Sequence, residues 1–231
     1  MLGIVCAMHS ELEGLRTALD LEPTDFGGPW TIYRARKHDI LAVVCGVGKV
    51  NAAAALAHLL SLHPLKAVIG VGVAGAIARD LQLGDVVVCS GALQHDMDAS
   101  AFGYEVGMVP VLGKKLFSAD QNLVREALQA GENAGLTIKV RSGTVLSGDR
   151  FVAGAEGVRL RELFHGDCVD METAAWAQVA LLFKVPWVAL RSISDQADGQ
   201  AAKVFSEFLN LAVQNMSAVI LQMIAARQAI D

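Results

Sequence analysis

Along nearly its whole length the sequence alternates short apolar runs, rich in Val and Ile, with stretches whose apolar residues recur at helical spacing. Strands that are apolar throughout are buried on both faces, and such strands belong to a mainly parallel sheet covered by helices. The runs predict strands over 2–7, 31–35, 40–45, 67–73, 85–93, 139–147 and 187–194. No repeat, low-complexity tract or Pro/Ser-rich linker separates them, so one α/β domain over 1–231 is expected. A chain of 231 residues can bury roughly 70% of its unfolded surface, enough for a sizeable core.

Helix signals fall between these runs. Ser10 and Glu13 form a Ser-x-x-Glu capping box ahead of an apolar stripe at Leu12, Leu15 and Leu19, which predicts the first helix. An Ala-rich helix is expected over 50–62, and another over 171–184. A last helix, over about 202–227, carries Phe205, Phe208, Leu209, Ala212, Met216, Val219, Ile220 and Met223 three or four apart, the pattern of a face packed on a core.

Composition excludes several functions. The net charge is −5 and the basic residues are scattered, so nothing resembles a phosphate-neutralising surface and nucleic acid is not an expected partner. The first residues have no basic leader, and no apolar run reads as long and uninterrupted enough to span a bilayer, so the expected location is the cytoplasm, with no membrane partner. Cys6, Cys45, Cys89 and Cys168 lie far apart among valines and read as buried, reduced thiols. No His-Glu-x-x-His or Cys-x-x-Cys set is present, so no metal and no cofactor is expected. His95-Asp96-Met97-Asp98 reads as a solvated loop.

Two glycine-rich segments read as strand-to-helix corners and candidate pocket walls: Gly46-Val47-Gly48-Lys49 and Gly70-Val71-Gly72-Val73-Ala74-Gly75. The second matches the dinucleotide fingerprint literally, with Asp96 about twenty residues on. The interval from Ala76 to Leu83 is nevertheless too short for a phosphate-binding helix and crossover. The first is no Walker loop, because no Ser or Thr follows Lys49. It reads either as a tight turn or as a ligand contact.

Three acids stand at element ends: Glu11 in the first helical turn, Glu172 opening the 171–184 helix, and Asp195 after the strand 187–194. Taken singly, each can be a cap or a surface charge. Together they suit the hydrolysis of a glycosidic bond, which needs one group to protonate the leaving base and another to activate water.

These residues, with Ala7-Met8, Gly46–Val50, Gly84–Val88, His95-Asp96, Ala101–Glu105, Ser147–Val152, Met171-Glu172 and Arg191–Asp195, resemble the bacterial methylthioadenosine/S-adenosylhomocysteine nucleosidases of the purine nucleoside phosphorylase superfamily. The likeness runs nearly end to end. It implies a three-layer phosphorylase/hydrolase-like fold with a central mixed, mainly parallel sheet flanked by helices. By the same resemblance Glu11 activates water, Asp195 gives a proton to adenine N7, Glu172 holds the ribose hydroxyls beside Met171, Phe151 stacks on adenine and the Val152 backbone contacts the base. Met8, Val47, Phe102, Tyr104 and Phe205 line the 5′-thio pocket, and Val73, Arg191 and Ser194 join the substrate-binding set. The substrate is a small nucleoside, and a homodimer is implied, with a loop containing Met108, Val109 and Pro110 near the neighbour's pocket.

The sequence departs from the family at Val73, where a hydroxyl residue is usual, and at Ala99, where a branched residue is common and whose smaller side chain is expected to enlarge the thio pocket. Asp170 replaces a more usual Glu, with no consequence attached. Phosphorolysis is the nearest rival reaction, but Gly70 and Val73 supply neither the guanidinium nor the hydroxyl that family phosphorylases use for phosphate. A nucleoside sensor that has lost its chemistry and a hydrolase of futalosine-type nucleosides are two further candidates.

Overall fold

The computed structural model describes residues 1–25, 28–198 and 201–228, and the side chains of 201–203, 205, 206 and 228 fall outside the description. β1 (Leu2–Cys6) leads into α1 (His9–Ala18), followed by β2 (Leu21–Thr24), β3 (Thr31–Ala35), β4 (Ile40–Val44) and α2 (Lys49–Leu62). Next come β5 (Ala67–Ala76), β6 (Val86–Gln94), a 3-10 turn (Ser100–Phe102), the short β7 (Phe117–Ser118) and α3 (Gln121–Asn133). β8 (Val140–Ser147), α4 (Ala155–Phe164), β9 (Cys168–Asp170), α5 (Thr173–Phe183), β10 (Trp187–Asp195) and α6 (Ala201–Gln228) complete the chain.

The described strands form one mixed sheet in the order β10-β6-β8-β9-β5-β1-β4-β3-β2, with β7 on β6. Its longest pairings, β10 with β5 and β6 with β8, are parallel. Because β10 pairs with both β5 and β6, the strands β5, β10, β6, β8 and β9 close into a ring. Every residue of β5 and β10 is buried, as expected of strands covered on both faces. α6 lies against β10, β5, α1 and α3, while α5 packs on α2 and reaches β5, β6, β8 and β10. All four cysteines are free and buried in this core.

The structure corrects several expectations. α1 begins at His9 with Met8 as N-cap, so Ser10 lies inside the first turn and Glu13 pairs with Arg16 at 2.8 Å on the surface. The reciprocal cap is made instead by Glu11, whose Oε2 accepts the Met8 N–H at 2.9 Å. Gly70 to Gly75 lie within β5 and not at a strand-to-helix corner, which removes the dinucleotide reading. His95 is buried and so departs from the solvated-loop reading, whereas Asp96 and Asp98 stay exposed in a turn and loop, Asp96 ion-paired to Lys49. Glu207–Arg227 of α6 is long and apolar enough, by length and composition, to cross a bilayer. Ala212, Met216, Val219, Ile220 and Met223 on that helix are buried inside the fold, which accounts for its apolar character.

Candidate active site

Open α/β sheets bind ligands beyond the carboxyl ends of their strands, and a cleft opens there. β1 contributes the following Ala7 and Met8, β4 the following Val47, and β5 its last turn of chain, Val73, Ala74 and Gly75. β8 is followed by Arg150, Phe151 and Val152 on the opposite wall; β9 and the start of α5 bring Val169, Asp170, Met171 and Glu172. β10 ends in Ser194 and Asp195.

Glu11 is 2% exposed, although ionised carboxylates are seldom buried without partners. Its Oε2 accepts the N–H groups of Ala7 and Met8, each at 2.9 Å, and its Oε1 accepts that of Val73 at 3.1 Å. Burial pushes its carboxyl above the usual glutamate range, while Arg191 and these amides pull the other way. Room for Glu11 comes from Gly72, where a Cβ would stand 2.8 Å from Oε1 and 1.7 Å from Arg191 Nη1.

Asp195 stands farther along the same strand wall. A Cβ at Gly75 would lie 2.8 Å from Asp195 Oδ1, so glycine again makes space for an acid. The β5–β10 register shifts between Ile193 and Asp195, and such an irregularity re-aims a side chain at a strand end. Asp195 Oδ1 accepts from Ala197 N–H at 2.9 Å, and Oδ2 accepts from the Ser194 hydroxyl at 3.0 Å. Burial raises its carboxyl above the ordinary aspartate range against the pull of these two donors. Both acids line the cleft, and the two glycines that make room for them, Gly72 and Gly75, lie three residues apart on β5, roughly 10 Å along the strand.

Glu172, at the N-cap of α5, is buried, and its Oε1 accepts from Gly48 N–H at 2.9 Å. Burial and the neighbouring Asp170 carboxylate push it up to about 7, against the pull of Arg191 and Gly48. The Gly46–Lys49 corner is therefore both a turn, with φ of 97° at Gly48, and a contributor to the site through Val47 and the Gly48 amide.

Arg191 lies behind the cleft instead of lining it, which corrects its assignment as a direct substrate contact. It is fully buried, with Nη2 2.7 Å from Asp170 Oδ2 and 3.8 Å from Glu172 Oε2, and its Nε donates to Thr173 Oγ1 at 2.8 Å. Its guanidinium stacks 4.8 Å from the Trp176 ring centre. Asp170 thus has a consequence the sequence did not suggest: it holds this cation and caps α5 by accepting Thr173 N–H at 3.1 Å. Its one sequence signal is a charge ending the apolar run Cys168–Asp170.

Of the remaining expected residues, Met8, Val47, Val73, Phe151, Val152, Met171 and Ser194 do line the cleft. Phe102 and Tyr104 do not line it in their own chain; they are 84% and 39% exposed on and beside the 3-10 turn. Ala99, the N-cap of that turn, is likewise absent from the lining. Phe205 lies outside the described side chains. Arg150, Ala74 and Val169 also line the cleft without having been anticipated individually.

A closed strand ring with a cleft at its carboxyl end, walled by buried acids and apolar side chains, defines a class: the family model of the phosphorylase superfamily matches residues 1–225. The 5′-methylthioadenosine/S-adenosylhomocysteine nucleosidase of Haemophilus ducreyi is 37% identical over 228 residues, covering 96% of this chain and 97% of that protein. The nucleosidase of the same description from Neisseria meningitidis, in complex with methylthio-immucillin-A, superposes with a TM-score of 0.91 at 33% identity, covering 97% of this chain and 98% of that one. A futalosine hydrolase of Helicobacter pylori gives a TM-score of 0.91 at 28% identity, with 97% of each chain covered. The chain belongs to the 5′-methylthioadenosine/S-adenosylhomocysteine nucleosidase family within the phosphorylase superfamily.

Proposed function

We propose that this protein hydrolyses the N-glycosidic bond of 5′-methylthioadenosine and S-adenosylhomocysteine, releasing adenine and a 5-thioribose product. The observation that carries the reading is the way Glu11 is held. Its carboxylate occupies the N–H groups of Ala7, Met8 and Val73, the donors at this end of the cleft that could otherwise cradle an anion. A phosphate dianion there would meet a fixed carboxylate and no free amide from this set; a water molecule would meet a base. Hydrolysis is favoured over phosphorolysis for this reason.

In this mechanism Glu11 accepts a proton from water as the water attacks the anomeric carbon, and Asp195 delivers its proton to adenine N7. Protonation matters because adenine leaves poorly as an anion, and an oxocarbenium-like transition state forms more readily as the base is neutralised. The raised carboxyl of Asp195 suits a group that must carry a proton when it acts. Glu172 binds the ribose hydroxyls, Phe151 and Val152 hold the base, and Met171, Met8, Val47 and Val73 offer apolar surface to the sugar and thioether. Arg191 acts from behind, balancing the charge of Glu11, Glu172 and Asp170.

Two copies of the chain are part of the proposal. Phe102 and Tyr104 are exposed outside their own cleft, and the fully exposed Val111 directly follows the half-buried Met108 and Pro110 and the buried Val109. This apolar projection suits insertion beside a neighbour's thio pocket. A futalosine-type nucleoside is the second reading, supported by the likeness to the Helicobacter pylori enzyme. The deciding experiment supplies methylthioadenosine with and without phosphate and identifies the sugar: free methylthioribose in both supports hydrolysis, while a sugar phosphate formed only with phosphate overturns it. Futalosine offered in parallel distinguishes the second reading.

A further inference from the structure

Three residues that do not line the cleft close a hydrogen-bonded ring beside its walls, open to solvent at Asp96 and Asp149. Lys49 Nζ lies 2.5 Å from Asp96 Oδ1. Asp96 Oδ2 accepts Asp149 N–H at 2.9 Å, and Asp149 Oδ1 accepts Lys49 N–H at 2.7 Å. Each member comes from a different strand end: Lys49 follows β4 and opens α2, Asp96 follows β6, and Asp149 follows β8. Gln94 extends the ring, accepting from Lys49 Nζ at 3.0 Å and donating to Gln178 of α5 at 2.7 Å. The Lys49 and Asp96 side chains are only 16% and 25% exposed, and the ion pair holds Asp96 below the usual carboxylate range although burial acts against it.

The chain neighbours of this ring are walls of the site. Gly48 precedes Lys49 and gives its N–H to Glu172; Arg150, Phe151 and Val152 follow Asp149. Gly48 has φ of 97°, a conformation that α2 does not impose and that the bond from the next amide to Asp149 holds in place. A Cβ at Gly48 would come 3.2 Å from Asp149 Oδ1, so the corner and the ring fit closely.

We propose that Lys49, Asp96 and Asp149 are positioning residues that set the Gly48 amide against Glu172 and fix the 150–152 wall, and thereby govern how tightly the nucleoside is bound. The inference rests on the proposed reading of Glu172 as the ribose-binding acid. Glu172 faces Asp170 from β9, Arg191 from β10, Glu11 from α1 and the thiols of Cys6 and Cys45, with Gly48 N–H as its donor from the α2 N-terminus. None of the charged neighbours changes when the ring is opened. The lost support falls on the Gly48 contact, which favours the ionised acid.

The test measures adenine release by Lys49→Met, Asp96→Asn and Lys49→Arg beside the unaltered protein, across pH. Opening the ring is expected to raise KM about fivefold, the worth of roughly one hydrogen bond, with kcat changed less than about twofold. The acid limb of kcat/KM moves to higher pH in Lys49→Met and Asp96→Asn, and Lys49→Arg recovers most of the affinity. Unchanged KM and an unmoved acid limb in both ring-opening variants overturn the proposal, as does a loss confined to kcat. An unaltered protein that releases no adenine overturns the underlying reading of the site, and with it this one; turnover with indifferent variants overturns the ring alone.

Discussion

At the scale of single residues the site depends on carboxyl groups held out of water. Asp195→Asn keeps one oxygen to accept Ala197 N–H, and its amide can donate to the rotatable Ser194 hydroxyl, but it has no acidic proton to deliver, so turnover is expected to fall by at least about a hundredfold with the melting temperature little changed. Glu11→Gln is expected to lose kcat to a similar degree while substrate binding is largely retained, which single-turnover and binding measurements separate. Stability carries a further signature. A carboxyl whose pKa is raised by folding binds its proton more tightly in the native state, so its contribution is present below the ordinary glutamate range and disappears as pH climbs through the folded value. For Glu172 that loss falls between about 4.5 and about 7. The melting temperature should accordingly decline from pH 5 to pH 8, and Glu172→Gln should flatten this decline; an equal slope in both proteins, measured by calorimetry, would count against the burial of an ionisable Glu172.

At the scale of elements, β5 is the wall that two glycines make available. Gly72→Ala drives a methyl group into Arg191 and Glu11, and overpacking of this kind costs about 1–3 kcal/mol; a clear drop in melting temperature together with lost activity is expected from thermal unfolding and adenine-release assays. Sequence periodicity found the strands whose apolar runs are long, because burial on both faces writes itself into composition, and it found the helices α1, α2, α5 and α6. It did not find β2, whose Leu21–Thr24 run contains Glu22 and Pro23, nor the two-residue β7 or the three-residue β9, which are too short for a period. α3 was missed despite a signal: Asp120 caps it by accepting from Asn122 and Leu123. α4 has no side-chain cap at Gly154, and its signals are fainter: Glu156 in the first turn, Arg161 in the last, and Leu160 and Phe164 four apart. The acids at Glu11, Glu172 and Asp195 were legible from their positions at element ends and from family likeness. The role of Asp170 and the retreat of Arg191 behind the cleft were not, because both depend on packing between β9, β10 and α5.

At the scale of the whole molecule, large apolar side chains remain uncovered on α2, α5 and the 3-10 turn: Val50 is 78% exposed, Leu182 59% and Phe102 84%. A homodimer would cover such surface, and light scattering is expected to give twice the mass of the 24.4 kDa chain. Phe102→Ala should raise KM for thio-substituted nucleosides without lowering the stability of the isolated fold, since Phe102 belongs neither to the core nor to its own cleft. A monomer whose kinetics ignore Phe102 would remove the second copy from the site.

The pairing of β10 between β5 and β6 also decides when during synthesis the enzyme becomes an enzyme. Glu11 emerges early, but the strand bearing Arg191 and Asp195 is the last to join, and the strand ring cannot close before it does. A ribosome-bound chain ending short of β10 carries Glu11 with no Arg191 behind it and no Asp195 in the cleft, so the full set of buried acids and their cation is expected to assemble only once the final strand has joined.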